Sequence, residues 1–421
     1  MLQVLASSWA LLLGVMLLMV GNGVQGTLLG IRGGLEGFST FELSLVMSGY
    51  FAGFLFGSRM APIMIRRVGH VRVFAALGSF ISAVLILYPA MTNPIAWTLL
   101  RVVVGFCFSG VYVTAESWLN NAADNENRGK ALSLYMFVQM VGIIAAQGLL
   151  VIGDPQDFIL FIIPSVLVSI AFAPILLSIN PTPAFETTKG LSLRELYTIS
   201  PLGCVGFFIL GGVFAAQFGM ASVFGQQAGL SVAQISGFVS TFYIGGLVLQ
   251  YPIGWISDRM DRRIVILTVT AVAAGAGFLP VFISSDFSVL LVAAFMMGGM
   301  TNPLYALLLA YVNDFLEPDD MPAASAGLIF INGIGAIAGP IISGWVMGVV
   351  GPSGFWSYMA VLLLALLAYG LWRSTQRSAP APSDTGAFMT MAPATSPVAV
   401  DMAQEFWADE AEASEEDESG S

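Results

Sequence analysis

The stretch GWISDRMDRR, residues 254–263, carries five charged side chains in its last six positions. The neighbouring runs, 240–253 and 264–282, carry none. A short charged turn between two apolar runs is what two helices give when they cross a hydrocarbon layer and meet at its polar face. Such a layer is about 30 Å thick, which takes roughly 20 residues at 1.5 Å each.

That pattern repeats along the chain. Of its 421 residues 57% are hydrophobic and only 10% charged, against about 25% in a soluble domain, and the mean hydropathy is +0.84. Twelve apolar runs are predicted to span a membrane: near 9–31, 42–64, 72–92, 95–118, 131–152 and 157–179, then near 201–224, 233–255, 263–284, 287–311, 323–348 and 353–373. The longest polar interruption, NPTPAFETTKGLSLREL at 180–196, divides them six and six. The expected architecture is an all-α membrane protein with an N-terminal six-helix bundle at 1–180 and a linker at 181–199. A C-terminal six-helix bundle at 200–373 follows, then a tail at 374–421. The start, MLQVLASSWALLLG, has no basic segment ahead of its apolar run, so the first span is expected to be retained.

The halves read as copies. Shifted by 192 or 193 residues, Gln25 falls on Gln217, Gly53 on Gly245, Gly105 on Gly298, Tyr112 on Tyr305 and Asn120 on Asn313, and GIIA at 142–145 falls on GAIA at 335–338. Glycine matches alone carry little weight in helices this glycine-rich; the constant offset carries more. Parallel halves about an axis along the membrane normal are one transporter architecture.

Charge sets the expected orientation. Even-numbered connections hold Arg66, Arg67, Arg72, Arg128, Lys130, Lys189, Arg194, Arg259, Arg262 and Arg263, whereas odd-numbered ones hold only Arg32. Basic loops stay cytoplasmic, so both termini are expected there, at a bacterial inner (plasma) membrane. The tail has ten acidic residues against one basic, Arg377, leaving −2 of the net −11 for everything before it. Its Pro/Ala/Ser-rich start and its acidic end predict disorder and a cytoplasmic location. No basic surface suits a nucleic acid. Cys107 and Cys204 sit in apolar runs as small hydrophobes. With a single histidine, His70, in a connection and no catalytic or nucleotide-binding motif, neither an enzyme, a cofactor nor a metal site is expected. A channel would want a charged pore ring, and none is visible.

GWISDRMDRR resembles the loop signature of the major facilitator superfamily, Gly-x-x-x-Asp-Arg-x-Gly-Arg-Arg, with Asp261 in place of the second glycine. AESWLNNA, ending span 4, is similar to the YcaD-like branch. The resemblance covers residues 9–373 and implies the major facilitator fold. It also implies secondary active transport of a small polar solute by alternating access, with H+ as coupling ion, in a monomer within the lipid bilayer. A drug or metabolite efflux antiporter is the alternative, weakened because span 5 has Ala146-Gln147 where drug–proton antiporters carry Gly-Pro. A non-transporting sensor of transporter ancestry is the alternative of another class.

The resemblance also assigns a gate. Asp258 would hold the cytoplasmic side shut by docking on the start of span 5, where ENRGK supplies Arg128, while Arg259, Arg262 and Arg263 would reach anionic headgroups. In the first-half copy, PIMIRRVGHVR, Pro62 replaces the glycine and Arg66 the aspartate. Arg66 and Arg67 would there face Glu317, Asp319 and Asp320.

Inside the membrane an ionisable side chain costs about 2.5–3.5 kcal/mol or more, so each is a functional candidate. Arg101 and Glu116 lie on span 4, about 60° apart in direction and about 22 Å apart in rise. Both could face the central cavity without touching. RVVVG at 101–105 resembles the superfamily's span-4 pattern, whose arginine is implicated in proton coupling. Gln25 and Gln217, midway along spans 1 and 7, could line the cavity or bond between helices. Asn22, Asn332, Gln139 and Gln147 are weaker candidates of the same kind.

Overall fold

The computed structural model describes residues 2–122, 125–177, 191–283, 286–316, 320–376, 388, 391, 396 and 398–400. The predicted sites Glu317 and Asp319 lie outside the described residues, as does most of the expected linker and tail.

Helices form where the expected spans lie. The first half contains α1 (Leu2–Leu35), α2 (Thr40–Val68), α3 (His70–Ala90), α4 (Pro94–Ala122), α5 (Asn125–Ile152) and α6 (Ile159–Leu177). The second contains α8 (Pro201–Gln227), α9 (Val232–Ser257), α10 (Arg262–Phe282), α11 (Phe287–Asn313), α12 (Met321–Val350) and α13 (Ser353–Ser374). Eleven of these, among the described residues, are long and apolar enough to cross a membrane; α6 has a shorter apolar stretch, Ile159–Ala173. Large apolar side chains such as Phe56, Phe80, Ile95, Ile162 and Phe282 point outward. Water would penalise such a surface, and lipid does not.

Two details depart from expectation. The linker carries a helix of its own, α7 (Leu193–Ile199), because Ser192 accepts the Glu195 N–H while the Glu195 carboxylate accepts the Ser192 N–H. His70 is not a loop residue: it opens α3 directly after Gly69, whose φ of 87° makes the turn, and its side chain is buried.

The duplication is written into the packing. Both α2 and α9 start with a capping box, Ser39/Glu42 and Ser231/Gln234, at the repeat offset of 192. In the first half α2 lies along α4 and α1 along α5; in the second α9 lies along α11 and α8 along α12. The close approaches coincide as well. A Cβ on Gly53 would overlap the Val102 carbonyl, and one on Gly245 the Phe295 carbonyl. Gly105 faces the Tyr50 carbonyl as Gly298 faces that of Phe242. Gly142 meets the Met16 carbonyl as Gly335 meets that of Phe208. The glycine matches that carried little weight as sequence therefore mark the same helix crossings twice, with backbones in direct contact.

Between the bundles, α2 packs on α12, α5 on α9 and α1 on α8. At the end away from the 254–263 turn the halves touch closely. Gly30 meets Ser222, Gly34 meets Gln226, Gln227 donates to the Thr40 hydroxyl, and Gly344 sits on Ser44. Nearer mid-depth, the Ser48 hydroxyl donates to the Ile337 carbonyl at 2.6 Å.

Gly245→Ala should cost about 1–3 kcal/mol, because a methyl group has no room against a backbone carbonyl. Gly275→Ala, where nothing lies within 4 Å, should cost nothing. Thermal unfolding midpoints in detergent check the pair: the first falls, the second stays.

Candidate functional site

A cavity of about 190 Å³ lies between the two bundles, lined by α1, α2, α4, α5, α8, α9, α11 and α12. Its walls mix aromatic and aliphatic side chains (Phe51, Phe54, Phe214, Phe218, Met136, Ile143) with amides and phenols. Arg101 is its sole cationic lining residue, and no carboxylate lines it.

Arg101 sits about two turns inside α4, where the Gly105 crossing brings α2 against it. Its side chain is 4% exposed. The guanidinium carbon stands 4.9 Å from the centre of the Tyr50 ring, Nη2 is 3.5 Å from the Met47 sulfur, and Nε has no partner. Among the described residues no carboxylate pairs with it. The ring face and thioether are weak partners for a full charge.

Beside it the Asn22 amide nitrogen lies 3.5 Å from both the Tyr50 and Tyr112 hydroxyls. Gln25 donates to the Asn22 side-chain oxygen at 3.3 Å. Gln25 thus stands behind the cavity wall, steadying Asn22, rather than on it. Gln217 is also off the wall, accepting the Thr301 hydroxyl at 3.2 Å. Asn332 lines the cavity while donating to the Phe207 carbonyl at 3.0 Å. Gln139 and Gln147 line it too. Sequence reading missed Tyr50, Tyr243 and Asn302. Each lies within an apolar run, and only the Asn302-Pro303 step, where proline frees a carbonyl one turn back, hinted at a special position.

Glu116 lies off the cavity wall. It is fully buried, its Oε1 accepting the Tyr135 hydroxyl at 3.1 Å and its Oε2 the backbone N–H of Ser396 at 3.1 Å together with the Ser396 hydroxyl. Among the described residues no cation pairs with it.

At the 254–263 turn the charges have separate duties. Asp258 caps α9, and its Oδ1 accepts the Phe388 N–H at 2.7 Å. Arg259 folds over the Trp255 ring, 4.2 Å from its centre. Asp261 caps α10 by accepting the Arg263 N–H, with the Arg263 guanidinium 3.5 Å away. Arg262 does not reach toward headgroups: it is buried, and its Nη1 pairs with Asp314 at 2.5 Å, the two side chains 2% and 3% exposed. That pair ties the start of α10 to the end of α11. Arg128 is half-buried near the start of α5, Arg66 and Arg67 are exposed at the end of α2, and Asp320 is exposed ahead of α12. Arg32 pairs with Glu36 at 2.6 Å.

The sequence matches the family model of the Major Facilitator Superfamily over residues 11–199 and 202–408. The chain belongs to the major facilitator superfamily. Within it the relatives point to the YcaD-like branch. The MFS-type transporter YcaD of Escherichia fergusonii is 25% identical over 342 residues, 80% of this chain and 88% of that protein. The MFS-type transporter YfkF of Bacillus subtilis (strain 168) is 25% identical over 309 residues, 71% of this chain and 78% of that one. Among solved structures, the nucleoside transporter NupG superposes with a TM-score of 0.70 at 17% identity, covering 87% of this chain and 98% of that one. A bacterial homologue of the human lysosomal transporter Spinster, inward-facing and occupied, gives 0.69 at 15%, covering 89% and 97%. This protein is thus a member of a family of membrane transporters of small solutes.

Removing one partner of the buried Arg262–Asp314 pair strands the other charge, so Asp314→Ala should cost about 3–5 kcal/mol. Replacing both by leucine should cost much less. Urea or thermal unfolding of the two variants checks the order; a double variant no better than the single one contradicts it.

Proposed function

We propose that this protein moves a small solute bearing an anionic group across the membrane, by exposing the cavity between its halves to each face in turn, with a proton as coupling ion. The carrying observation is Arg101. A guanidinium buried without a counter-charge costs several kcal/mol, which a bound carboxylate, sulfonate or phosphate would offset by a bidentate pair. The amides of Asn22, Asn302 and Asn332 would read the polar remainder of the solute, and the phenylalanine walls its apolar body. The cavity size favours a metabolite over a lipid or peptide.

The coupling assignment rests on Glu116, a buried carboxylate on the same helix as Arg101 with hydroxyl and amide partners, able to hold or release a proton during the cycle. The distribution of Lys and Arg supports placing the 254–263 end, and both termini, on the cytoplasmic side of a plasma membrane. Bundles at 1–180 and 200–373, joined by the 181–199 linker, would be the two bodies that tilt. In the half-cycle that closes the cytoplasmic end, Asp258 would dock on the α5 start near Arg128, and Arg66 and Arg67 on the acids before α12. Exposed pairs of this kind give about 0–1 kcal/mol each, enough to bias two states a few kcal/mol apart. A monomer suffices for the cycle.

Proteoliposomes with an inward proton gradient test this. Uptake of carboxylate-, sulfonate- or phosphate-bearing solutes should fall at least about tenfold in Arg101→Gln and less in Arg101→Lys, which keeps the charge but not the fork. Uptake confined to neutral solutes and indifferent to Arg101→Gln would overturn the assignment. Glu116→Gln should still exchange solute yet no longer accumulate it against a gradient.

A further inference from the structure

Part of the tail returns to the body of the protein. Helix α13 ends at Ser374, and Phe388 is fourteen residues further on, a reach of at most about 50 Å. The Phe388 ring lies against Gly254, where a Cβ would overlap it, and the Phe388 N–H meets Asp258. Both are positions of the loop signature, in the second half. Ser396 gives its N–H and hydroxyl to Glu116 in the first half. Met391, Ala399 and Val400 are at most 1% exposed and join the same apolar core as the helices, with Phe388 and Val398 packed on it.

The sequence suits this placement. Residues 385–400, TGAFMTMAPATSPVAV, hold no charge, whereas nine acids follow from Asp401 onward. A purely solvated tail has no need of an apolar, uncharged stretch between Asp384 and Asp401. Glu116 and Asp258 belong to different halves, so Phe388 and Ser396 together bridge the halves at the 254–263 end. Their anchors are the carboxylates assigned above to coupling and to gating.

We propose that the part of the tail carrying Phe388, Met391, Ser396 and 398–400 acts as an autoinhibitory strap. These residues dock at the 254–263 end, where Phe388 and Ser396 hold Asp258 and Glu116 in hydrogen bonds, and they must leave before that end can close. Docking stands on the contacts themselves; its inhibitory consequence rests on the transport reading. Tethering supplies the segment at an effective concentration of about millimolar, so weak contacts suffice to keep it seated and a change in the acidic part could release it. Phe388 is the specific element, because only a residue without a side chain at position 254 leaves room for its ring.

The test uses the whole chain, reconstituted, with a site-specific protease sequence inserted after Pro382 and Val400→Cys as reporter. The unsubstituted chain, whose Cys107 and Cys204 are buried, gives the background. Labelling of position 400 by a membrane-impermeant maleimide should be at least about tenfold slower before cleavage than after it. Phe388→Asp in the uncleaved chain should speed it. Solute uptake should rise severalfold on cleavage and fall again when a synthetic peptide of residues 385–400 is added at about millimolar concentration. Equal labelling rates before and after cleavage overturn the docking. Protected labelling with uptake unchanged by cleavage overturns the inhibition. Protected labelling with no uptake in either form overturns the transport reading and upholds the docking.

Discussion

Hydrocarbon offers a polar side chain no hydrogen bond, so in a membrane every polar group must find its partner inside the protein. Here that constraint sorts the residues. Lipid-facing surfaces carry Phe56, Phe80, Ile95 and Phe282, while Asn22, Arg101, Gln139, Asn302 and Asn332 gather where the two halves meet. Most of these find neighbours: Asn22 with Tyr50 and Tyr112, Asn332 with the Phe207 carbonyl. Arg101 finds only a ring face and a sulfur. A buried charge with, among the described residues, no carboxylate beside it, set among amides that are themselves only partly satisfied (Gln25 Oε1 and Gln147 Oε1 have no partner there), is the feature from which the functional reading grows.

Movement needs rigid bodies as well as a polar interface. Glycine crossings supply them: Gly53 and Gly105 lock α2 to α4, and Gly245 and Gly298 lock α9 to α11, backbone against backbone. Within each half such contacts leave little freedom. Between halves the contacts are fewer; they are close around Gly30, Gly34 and Gly344 and continue along α2 and α12 to Arg59, whose guanidinium lies 4.0 Å from the centre of the Phe330 ring. At the 254–263 end Phe388 and Ser396 add contacts to Asp258 and Glu116. A stiff pair with a yielding interface is what rocking requires, and the Arg262–Asp314 pair stiffens the second half beside its signature turn.

Much of this is legible in sequence, and what is not has physical causes. Span lengths, the charged turn and the repeat offset follow from hydropathy and spacing, which survive any side-chain rearrangement. The rotation of each helix about its own axis is harder. Gln25 and Gln217 sit at mid-depth as expected, but about one helix position decides whether an amide lines a cavity or braces its neighbour, and both brace. Tyr50 and Asn302 were hidden because an apolar run does not announce which of its members faces inward. Arg262 misled because a basic residue in a polar turn ordinarily reaches lipid headgroups, while its true partner, Asp314, lies 52 residues away. The tail misled through its average: the acids dominate its composition and mask the uncharged stretch at 385–400.

Reciprocal motion of the halves is the claim on which the rest turns, and spin-label distance measurement addresses it most directly. One pair, Val68→Cys with Met260→Cys, reports the signature end; another, Leu35→Cys with Ala228→Cys, reports the opposite end, and all four positions are exposed. As pH and anionic solute are varied, the account predicts two populations at each end, the first distance shortening as the second lengthens. A single unchanging distance at both ends under every condition would contradict it.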